Sequence, residues 1–270
     1  TKRLPPETVQ AAERLRWVQA GVSGIERMLA AGLRDRDVVL TNARGAHGVP
    51  IAEFILSMML AFATGLHSLV RAQDRRARIF DQVIADKFEV EGQRLCVLGS
   101  GDIGSTLARK ARLLGMRVTV VRRTNIPSPD AEETHSWDHL LEVLPLADHV
   151  ALCLPLTSET MGIIGQRELR AMNPSAHIYN VGRGSAIDRD ALLRALQEGW
   201  IAGAGLDVTD PEPLSPDSPL WGMPNVILGQ HTSGSSPFNS DRITTTFLEN
   251  LGRYLRREPL INVVDKQLGY

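Results

Sequence analysis

The chain has 270 residues, of which 43% are hydrophobic and 23% charged, a composition that is ordinary for a globular protein. Its formal net charge of −1 gives no indication of a nucleic-acid or membrane partner. The two cysteines, Cys96 and Cys153, form neither a metal-ligand spacing nor a disulfide framework, so we expect reduced thiols and no metal site. Without a signal-peptide pattern or an apolar run of membrane-spanning length, the sequence predicts a cytoplasmic protein.

The first part of the chain contains few regular elements. An amphipathic helix from residue 7 is expected to lead into a short strand at LRWVQA, and VVLT at 38–41 predicts a second strand. Pro50 suits the first turn of a helix, and the pattern that follows predicts one long helix over residues 50–79. A long helix between two compositionally different halves indicates an interdomain connector.

From residue 94 onward, apolar strands alternate with helices. We expect strands at 94–99, 117–121, 149–156, 177–181, 201–208 and 225–229, and helices at 103–114, 136–144, 166–172, 189–198 and 237–257. This alternation predicts an α/β fold with a parallel sheet covered by helices on both faces.

A glycine motif, Gly99-Ser100-Gly101-Asp102-Ile103-Gly104, directly follows the first of these strands and opens a helix. That context is the one in which GxGxxG binds a dinucleotide, because Gly99 allows a tight turn, Gly101 a close approach of the pyrophosphate and Gly104 close helix–strand packing. The helix N-terminus offers free N–H groups to the phosphates. A glycine-rich turn without a ligand is the alternative.

The next strand ends in Arg122, Arg123 and Thr124. A site selective for NAD usually has a carboxylate at this position, which hydrogen-bonds to the ribose hydroxyls. Two guanidinium groups instead favour a 2′-phosphate, so the sequence predicts NADP(H) as the preferred cofactor and NAD(H) as the second candidate. A solvated basic strand end is the alternative.

Four further polar residues follow strands of the predicted sheet: Arg183 in NVGRGSAID, Asp207 and Glu212 in GLDVTDPEPL, and His231 in GQHTSG. Ligands of open α/β sheets bind beyond the carboxyl ends of the strands. The sequence therefore predicts that these side chains lie at one edge of the sheet.

On these segments, together with ALCLPLTSETMGIIG, the chain resembles the D-isomer-specific 2-hydroxyacid dehydrogenase family from about residue 12 to the C-terminus. The short separation of Glu212 and His231 is similar to its glyoxylate/hydroxypyruvate reductase branch. The resemblance implies a Rossmann domain at 64–236 and a smaller, flavodoxin-like substrate domain formed by 1–63 and 237–270. We expect the substrate domain to be incomplete, because family members normally have further strands and helices before LRWVQA.

The resemblance also implies roles for individual residues. Arg183 would bind the substrate carboxylate, His231 would act as general acid and base, and Glu212 would orient the imidazole. Asp207 would lie near the nicotinamide carboxamide, and the backbone of Gly21, Val22, Ser23 and Gly24 would cradle the substrate carboxylate. Further cofactor contacts are expected at Asp102, Ile103, Leu154, Pro155, Thr160, Val181, Gly182, Ser233 and Gly234.

The predicted function is therefore hydride transfer between NADP(H) and a small 2-keto acid or D-2-hydroxy acid. One alternative keeps this chemistry but takes a larger, more apolar 2-keto acid. Another is a dinucleotide-sensing interaction protein similar to the corepressors that share the fold. The resemblance and the apolar helix after Pro50 also predict a homodimer.

Overall fold

The computed structural model describes residue 1 and residues 4–270, which form two compact units. The smaller unit comprises Thr1–Gly48 and Ser235–Tyr270, and the larger comprises Val49–Gly234. The predicted boundaries lay after residues 63 and 236, so the structural division falls earlier in the chain at both places.

The smaller unit contains a two-stranded parallel sheet with β1 (Trp17–Gln19) beside β2 (Val39–Thr41). Its helices are α1 (Pro6–Ala11), α2 (Glu26–Met28), which continues into a π-turn at Leu29–Leu33, and the C-terminal α10 (Asn239–Arg256). Both predicted strands are confirmed in shortened form. The core of the unit is apolar and includes Ile25, Met28, Leu33 and Leu40, each almost fully buried.

The larger unit is built on a seven-stranded parallel sheet, which confirms the predicted Rossmann-type α/β fold. The order is β5-β4-β3-β6-β7-β8-β9. The strands are β3 (Arg94–Leu98), β4 (Arg117–Arg122), β5 (Glu133–Ser136), β6 (His149–Leu152), β7 (His177–Asn180), β8 (Gly203–Leu206) and β9 (Val226–Leu228). The order reverses between β3 and β6, and open sheets of this kind bind ligands beyond the carboxyl ends at such a switch point.

Helices cover both faces of this sheet. The helices of the larger unit are α3 (Gly48–Thr64), α4 (Leu66–Asp74), α5 (Phe80–Asp86), α6 (Asp102–Leu113), α7 (Leu140–Val143), α8 (Gln166–Ala171) and α9 (Arg189–Gln197). Buried residues of α3 and α6 pack on one face of the sheet, and those of α7, α8 and α9 pack on the other. Alternate residues of β3 enter opposite cores, with Leu95 and Val97 on one face and Cys96 and Leu98 on the other. This two-residue alternation explains why the strand is apolar throughout.

Helix α3 packs closely against the sheet. A Cβ on Gly205 would lie 2.7 Å from the Met58 sulfur, and a Cβ on Gly229 would lie 2.7 Å from the Phe54 ring. Because residues four apart share one face of a helix, Phe54 and Met58 form a single stripe against these glycines.

The prediction of one long helix over 50–79 is wrong. The chain breaks at Gly65, which has a φ of 70°, and α3 and α4 meet at a bend of 75°. A Cβ at Gly65 would lie 2.7 Å from Val83 of α5, so the glycine allows both the turn and the approach of the next helix. The apolar periodicity continues across the break, which is why it suggested one helix.

Within the described part of the chain, no single helix has the length and apolar composition needed to cross a membrane. The bent pair of α3 and α4 meets that criterion only when its two helices are counted together.

Candidate active site

The glycine motif joins β3 to α6 in the way its sequence predicts. Gly99 has a φ of 95°, and a Cβ there would lie 2.8 Å from the carbonyl oxygen of Cys153. A Cβ on Gly104 would lie 1.8 Å from the carbonyl oxygen of Gly99. Neither position has room for a side chain, whereas a Cβ on Gly101 would meet nothing within 4 Å. The open face of Gly101 is therefore the place where a ligand can approach the backbone.

The N-terminus of α6 has the features of a phosphate site. None of the side chains that the structure describes caps this end of the helix, and Asp102 and Ile103 are half-buried in its first turn. The hydroxyl oxygen of Ser100 is buried and has no hydrogen-bond partner among the described residues. An orphaned hydroxyl beside uncapped N–H groups fits the pyrophosphate of a dinucleotide, which would accept hydrogen bonds from both.

The end of β4 lies beside this motif, because the Gly99 N–H donates to the carbonyl oxygen of Val121 at 2.8 Å. Arg122 is the last residue of β4 and is half-buried, and its guanidinium makes no hydrogen bond or ion pair with the residues that the structure describes. Arg123 and Thr124 follow it and are exposed. The three positions thus bring cations and no carboxylate to this side of the motif.

The segments that follow β6 and β7 pack against each other. A Cβ on Gly182 would lie 2.6 Å from the carbonyl oxygen of Leu154, and Val181 is buried beside it. Thr160 is also buried, and its hydroxyl donates to the Pro155 carbonyl oxygen at 2.6 Å while accepting from the Thr157 N–H at 2.8 Å. The Thr160 hydroxyl therefore stabilises the turn formed by residues 155–160.

Arg183 follows β7 with extended backbone angles. Its Nη1 donates to the Gly182 carbonyl oxygen at 2.8 Å, and its own carbonyl oxygen accepts from the Asn180 side chain at 2.8 Å. The Asn180 side-chain oxygen in turn accepts from the Gly182 N–H at 3.0 Å. Asn180 is not among the residues predicted from the sequence, although a polar residue that ends an apolar strand is a signal for such a role.

Gly184 brings the arginine segment against the segment that carries Glu212. A Cβ at Gly184 would lie 2.0 Å from the carbonyl oxygen of Thr209 and 2.6 Å from the nitrogen of Asp210. Only glycine permits this backbone contact.

His231 and Glu212 are paired, as the resemblance implied. The imidazole Nδ1 and a Glu212 carboxylate oxygen are 2.5 Å apart, with side chains that are 50% and 42% exposed. Since Nδ1 faces a carboxylate, it carries the proton, and Nε2 is the nitrogen left to exchange a proton with a ligand.

Asp207 holds the turn on which His231 lies. Its backbone carbonyl oxygen accepts from the His231 N–H at 2.5 Å. Its buried carboxylate accepts from the Thr232 N–H at 2.9 Å and from both the N–H and the hydroxyl of Ser233. Gly234, half-buried, ends the larger unit. The sequence did not predict these bonds, because they join residues about 25 positions apart.

In the smaller unit, Gly21, Val22, Ser23 and Gly24 form a half-buried loop after β1. The Gly21 N–H donates to the Thr1 carbonyl oxygen at 2.7 Å. The N–H groups of Val22, Ser23 and Gly24 donate to no residue within the described ranges. The loop thus presents three free backbone donors, as an anion-binding loop requires.

Comparison with known proteins gives concordant matches. A family model with the description "D-isomer specific 2-hydroxyacid dehydrogenase, NAD binding domain" matches residues 56–233. A glyoxylate reductase from Korarchaeum cryptofilum is 33% identical over 277 residues, covering 99% of this chain and 81% of the relative.

Two solved structures have the same fold over almost the whole chain. A D-isomer specific 2-hydroxyacid dehydrogenase from Xanthobacter autotrophicus, in complex with NADPH and MES, has a TM-score of 0.86 and 30% identity, covering 98% of this chain and 82% of that one. An NADPH-dependent glyoxylate/hydroxypyruvate reductase from Sinorhizobium meliloti, in complex with NADP and sulfate, has a TM-score of 0.86 and 26% identity, covering 98% and 83%.

Proposed function

Because the chain belongs to the D-isomer specific 2-hydroxyacid dehydrogenase family, we propose that it reduces a small 2-keto acid of the glyoxylate or hydroxypyruvate type with NADP(H). Membership makes it a nicotinamide-dependent oxidoreductase that acts on 2-keto or 2-hydroxy acids. The observation that carries the proposal is the pairing of His231 with Glu212 on the unit that also bears the glycine motif. We assign dinucleotide binding to this larger unit, and we assign to the backbone of the Gly21–Gly24 loop in the smaller unit a role in binding the substrate carboxylate.

The chemistry follows from the properties of three side chains. Arg183 binds the substrate carboxylate through paired N–H donors and polarises the keto group. Glu212 accepts a hydrogen bond from the Nδ1–H of His231, which orients the ring. His231 then gives its Nε2 proton to the keto oxygen during reduction and takes it back during oxidation. The nicotinamide, when bound, supplies or accepts the hydride.

Preference for NADP(H) is supported by Arg122 and Arg123 at the end of β4. A 2′-phosphate would give the unpaired, half-buried guanidinium of Arg122 a partner. Arg122→Asp should therefore lower the ratio of kcat/KM for NADPH to that for NADH by about tenfold or more, since one charge-assisted contact is lost and a repulsive carboxylate is added. An unchanged ratio would refute this assignment, and Arg109→Asp, on the exposed face of α6, is the matched control.

The substrate class is supported by the relatives named glyoxylate reductase and glyoxylate/hydroxypyruvate reductase. A steady-state assay of NADPH oxidation with glyoxylate, hydroxypyruvate, pyruvate and a branched-chain 2-keto acid tests it. We expect the highest kcat/KM for the first two. The highest value for the branched acid would favour the larger substrate, and binding of NADPH without turnover of any acid would favour a sensor.

We also propose that the protein works as a cytoplasmic homodimer. Five apolar side chains on α4 and α5 are between 43% and 57% exposed: Leu66, Leu69, Val70, Phe80 and Ile84. Leu66, Leu69 and Val70 share one face of α4, and Phe80 and Ile84 share one face of α5. Exposed apolar helix faces are typical of an interface between subunits. The two free cysteines, Cys96 and Cys153, fit a reducing compartment. Light scattering during size-exclusion chromatography tests the dimer, and a monomeric mass at micromolar concentration would contradict it.

A further inference from the structure

The loop after β1 is held through three carbonyl oxygens of residues 20–23, which accept hydrogen bonds within the smaller unit. The Ala20 oxygen accepts from the Gln19 side chain at 3.0 Å, and the Val22 oxygen accepts from the Ala43 N–H at 3.1 Å. The Ser23 oxygen accepts from the side-chain nitrogen of Asn42 at 3.0 Å. Two of these three acceptors are therefore bound by consecutive residues, Asn42 and Ala43, of the segment that follows β2.

These bonds determine where the N–H groups of the loop point. In a planar trans peptide the C=O and the following N–H point in opposite directions. The Val22 and Ser23 carbonyls point towards residues 42–43, so the Ser23 and Gly24 N–H groups point away from that segment. Neither N–H donates to another described residue. Two adjacent N–H donors that point to the same side form a concave anion-binding site.

Asn42 is itself held in a single orientation. The residue is 7% exposed, and its side-chain oxygen accepts from the Arg44 N–H at 3.1 Å. Since an N–H group must meet the oxygen end of the amide, the nitrogen end is the one that faces Ser23. The Asn42 carbonyl oxygen also accepts from Gln19 at 3.1 Å, and Gln19 in turn accepts from the fully buried Asn250 at 3.0 Å.

We propose that Asn42 is a positioning residue, which directs the Gly24 N–H towards the carboxylate of the substrate by holding the Ser23 carbonyl. This inference rests on the proposed function, in which the Gly21–Gly24 loop binds that carboxylate. A loop without the Asn42 bond would let the Ser23–Gly24 peptide rotate, and the substrate would have to order it again on binding. The effect should therefore fall on substrate affinity and not on hydride transfer.

Two substitutions test the proposal, each measured in steady state with glyoxylate and NADPH. Asn42→Asp keeps the acceptor for the Arg44 N–H and removes the donor to Ser23, and Asn42→Ser removes the donor without adding charge. We expect both to raise the KM for glyoxylate roughly five- to tenfold, the effect of one lost hydrogen bond. We expect kcat to change less than twofold and the Kd for NADPH, followed by fluorescence, to be unchanged.

Asn262→Asp is the matched control, because the Asn262 side chain donates to the Arg44 carbonyl oxygen at 2.7 Å and to the Asn42 carbonyl oxygen at 3.5 Å, but not to Ser23. We expect it to leave the KM for glyoxylate within twofold of the wild-type value. An unchanged KM in both Asn42 variants would overturn the proposal. So would an equal rise in Asn262→Asp, or a parallel fall in kcat and in NADPH affinity, since these indicate general damage.

Failure of the proposed function has a different signature. In that case the wild-type protein itself would oxidise no NADPH with glyoxylate, hydroxypyruvate or pyruvate. Calorimetry with oxalate, a carboxylate that cannot be reduced, then measures the loop without catalysis. Equal oxalate affinity of the wild-type protein and Asn42→Ser would overturn the role of Asn42, and weaker binding by the variant would support it.

Discussion

His231 lies on a turn whose backbone is unfavourable for a residue with a side chain. Gln230 and His231 have φ values of 55° and 57°, in the left-handed region, which costs roughly 1–2 kcal/mol per residue. Hydrogen bonds from residues 231–233 to the backbone and carboxylate of Asp207 offset this cost. The imidazole is thereby held beside Glu212 while its outer nitrogen stays accessible.

His231→Ala should remove the proton donor and leave the dinucleotide motif intact. We expect kcat for glyoxylate reduction to fall by about 10²-fold to 10⁴-fold, the usual contribution of general acid catalysis. The Kd for NADPH should change less than threefold. His135→Ala, on β5, is the control and should keep wild-type kcat. A value of kcat near wild type in His231→Ala would exclude the assigned role.

Two buried histidines determine how the protein should respond to acid. His149 and His177 begin the adjacent strands β6 and β7, with ring centroids 5.9 Å apart. Burial lowers the pKa of His149 to about 4. Burial, followed by the nearby His149 and His67, lowers the pKa of His177 to about 3. The Tyr179 hydroxyl and the Gln93 side-chain oxygen bond the two nitrogens of the neutral His149 ring.

The sign of the pH dependence follows from these lowered pKa values. Below pH 6.5 both histidines become protonated in the unfolded chain but stay neutral in the folded chain until the pH nears 4 for His149 and 3 for His177. The free energy of unfolding should therefore fall as the pH drops through this range. Urea unfolding at several pH values measures this. His177→Phe should flatten the dependence, and the exposed His139→Phe should not. Equal acid sensitivity of His177→Phe and the wild type would contradict the account.

At the scale of elements, two glycines of the β3–α6 connection have different roles. Gly104 is needed for helix–strand packing, and Gly101 leaves space for a ligand. Gly104→Ala places a methyl group 1.8 Å from the Gly99 carbonyl oxygen and should lower both the Tm and the affinity for NADPH. The methyl group of Gly101→Ala meets no atom of the described residues within 4 Å, so the variant should keep the Tm. It should weaken NADPH binding, because the methyl group enters the space of the pyrophosphate. Thermal unfolding and NADPH titration of both variants check this. Wild-type NADPH affinity in Gly101→Ala would be inconsistent with a phosphate at this site.

The elements that the sequence could predict are those with a strong apolar pattern. Strands β3, β4 and β6–β9 were predicted close to their observed positions, because each is an apolar run bounded by polar residues. Strand β5, with the sequence ETHS, was missed, because an edge strand of polar, half-exposed residues has no apolar alternation. The bend at Gly65 depends on Val83 of α5, a contact that local periodicity does not encode.

At the scale of the whole molecule, the sequence identified the residues of the candidate site better than the bonds that hold them. Glu212 and His231 could be paired because they lie in segments that resemble one family. The supporting residues could not be found in this way. Asn180 bonds to the Arg183 carbonyl oxygen, and Asn42 bonds to Ser23. The Asn42 bond joins residues 19 positions apart, which local sequence patterns do not encode. The Asn180 bond is local, but asparagine at a strand end has many other uses, so the residue type alone does not identify it.

Reduction of 2-keto acids by this chain should depend on His231. The measurement is the rate of NADPH oxidation on addition of glyoxylate or hydroxypyruvate, made in parallel for the wild-type protein and for His231→Ala. We predict saturable turnover by the wild type and near-complete loss in the variant, with NADPH binding retained by both. Turnover that survives in His231→Ala, or wild-type protein that binds NADPH but reduces neither acid, would contradict the claim.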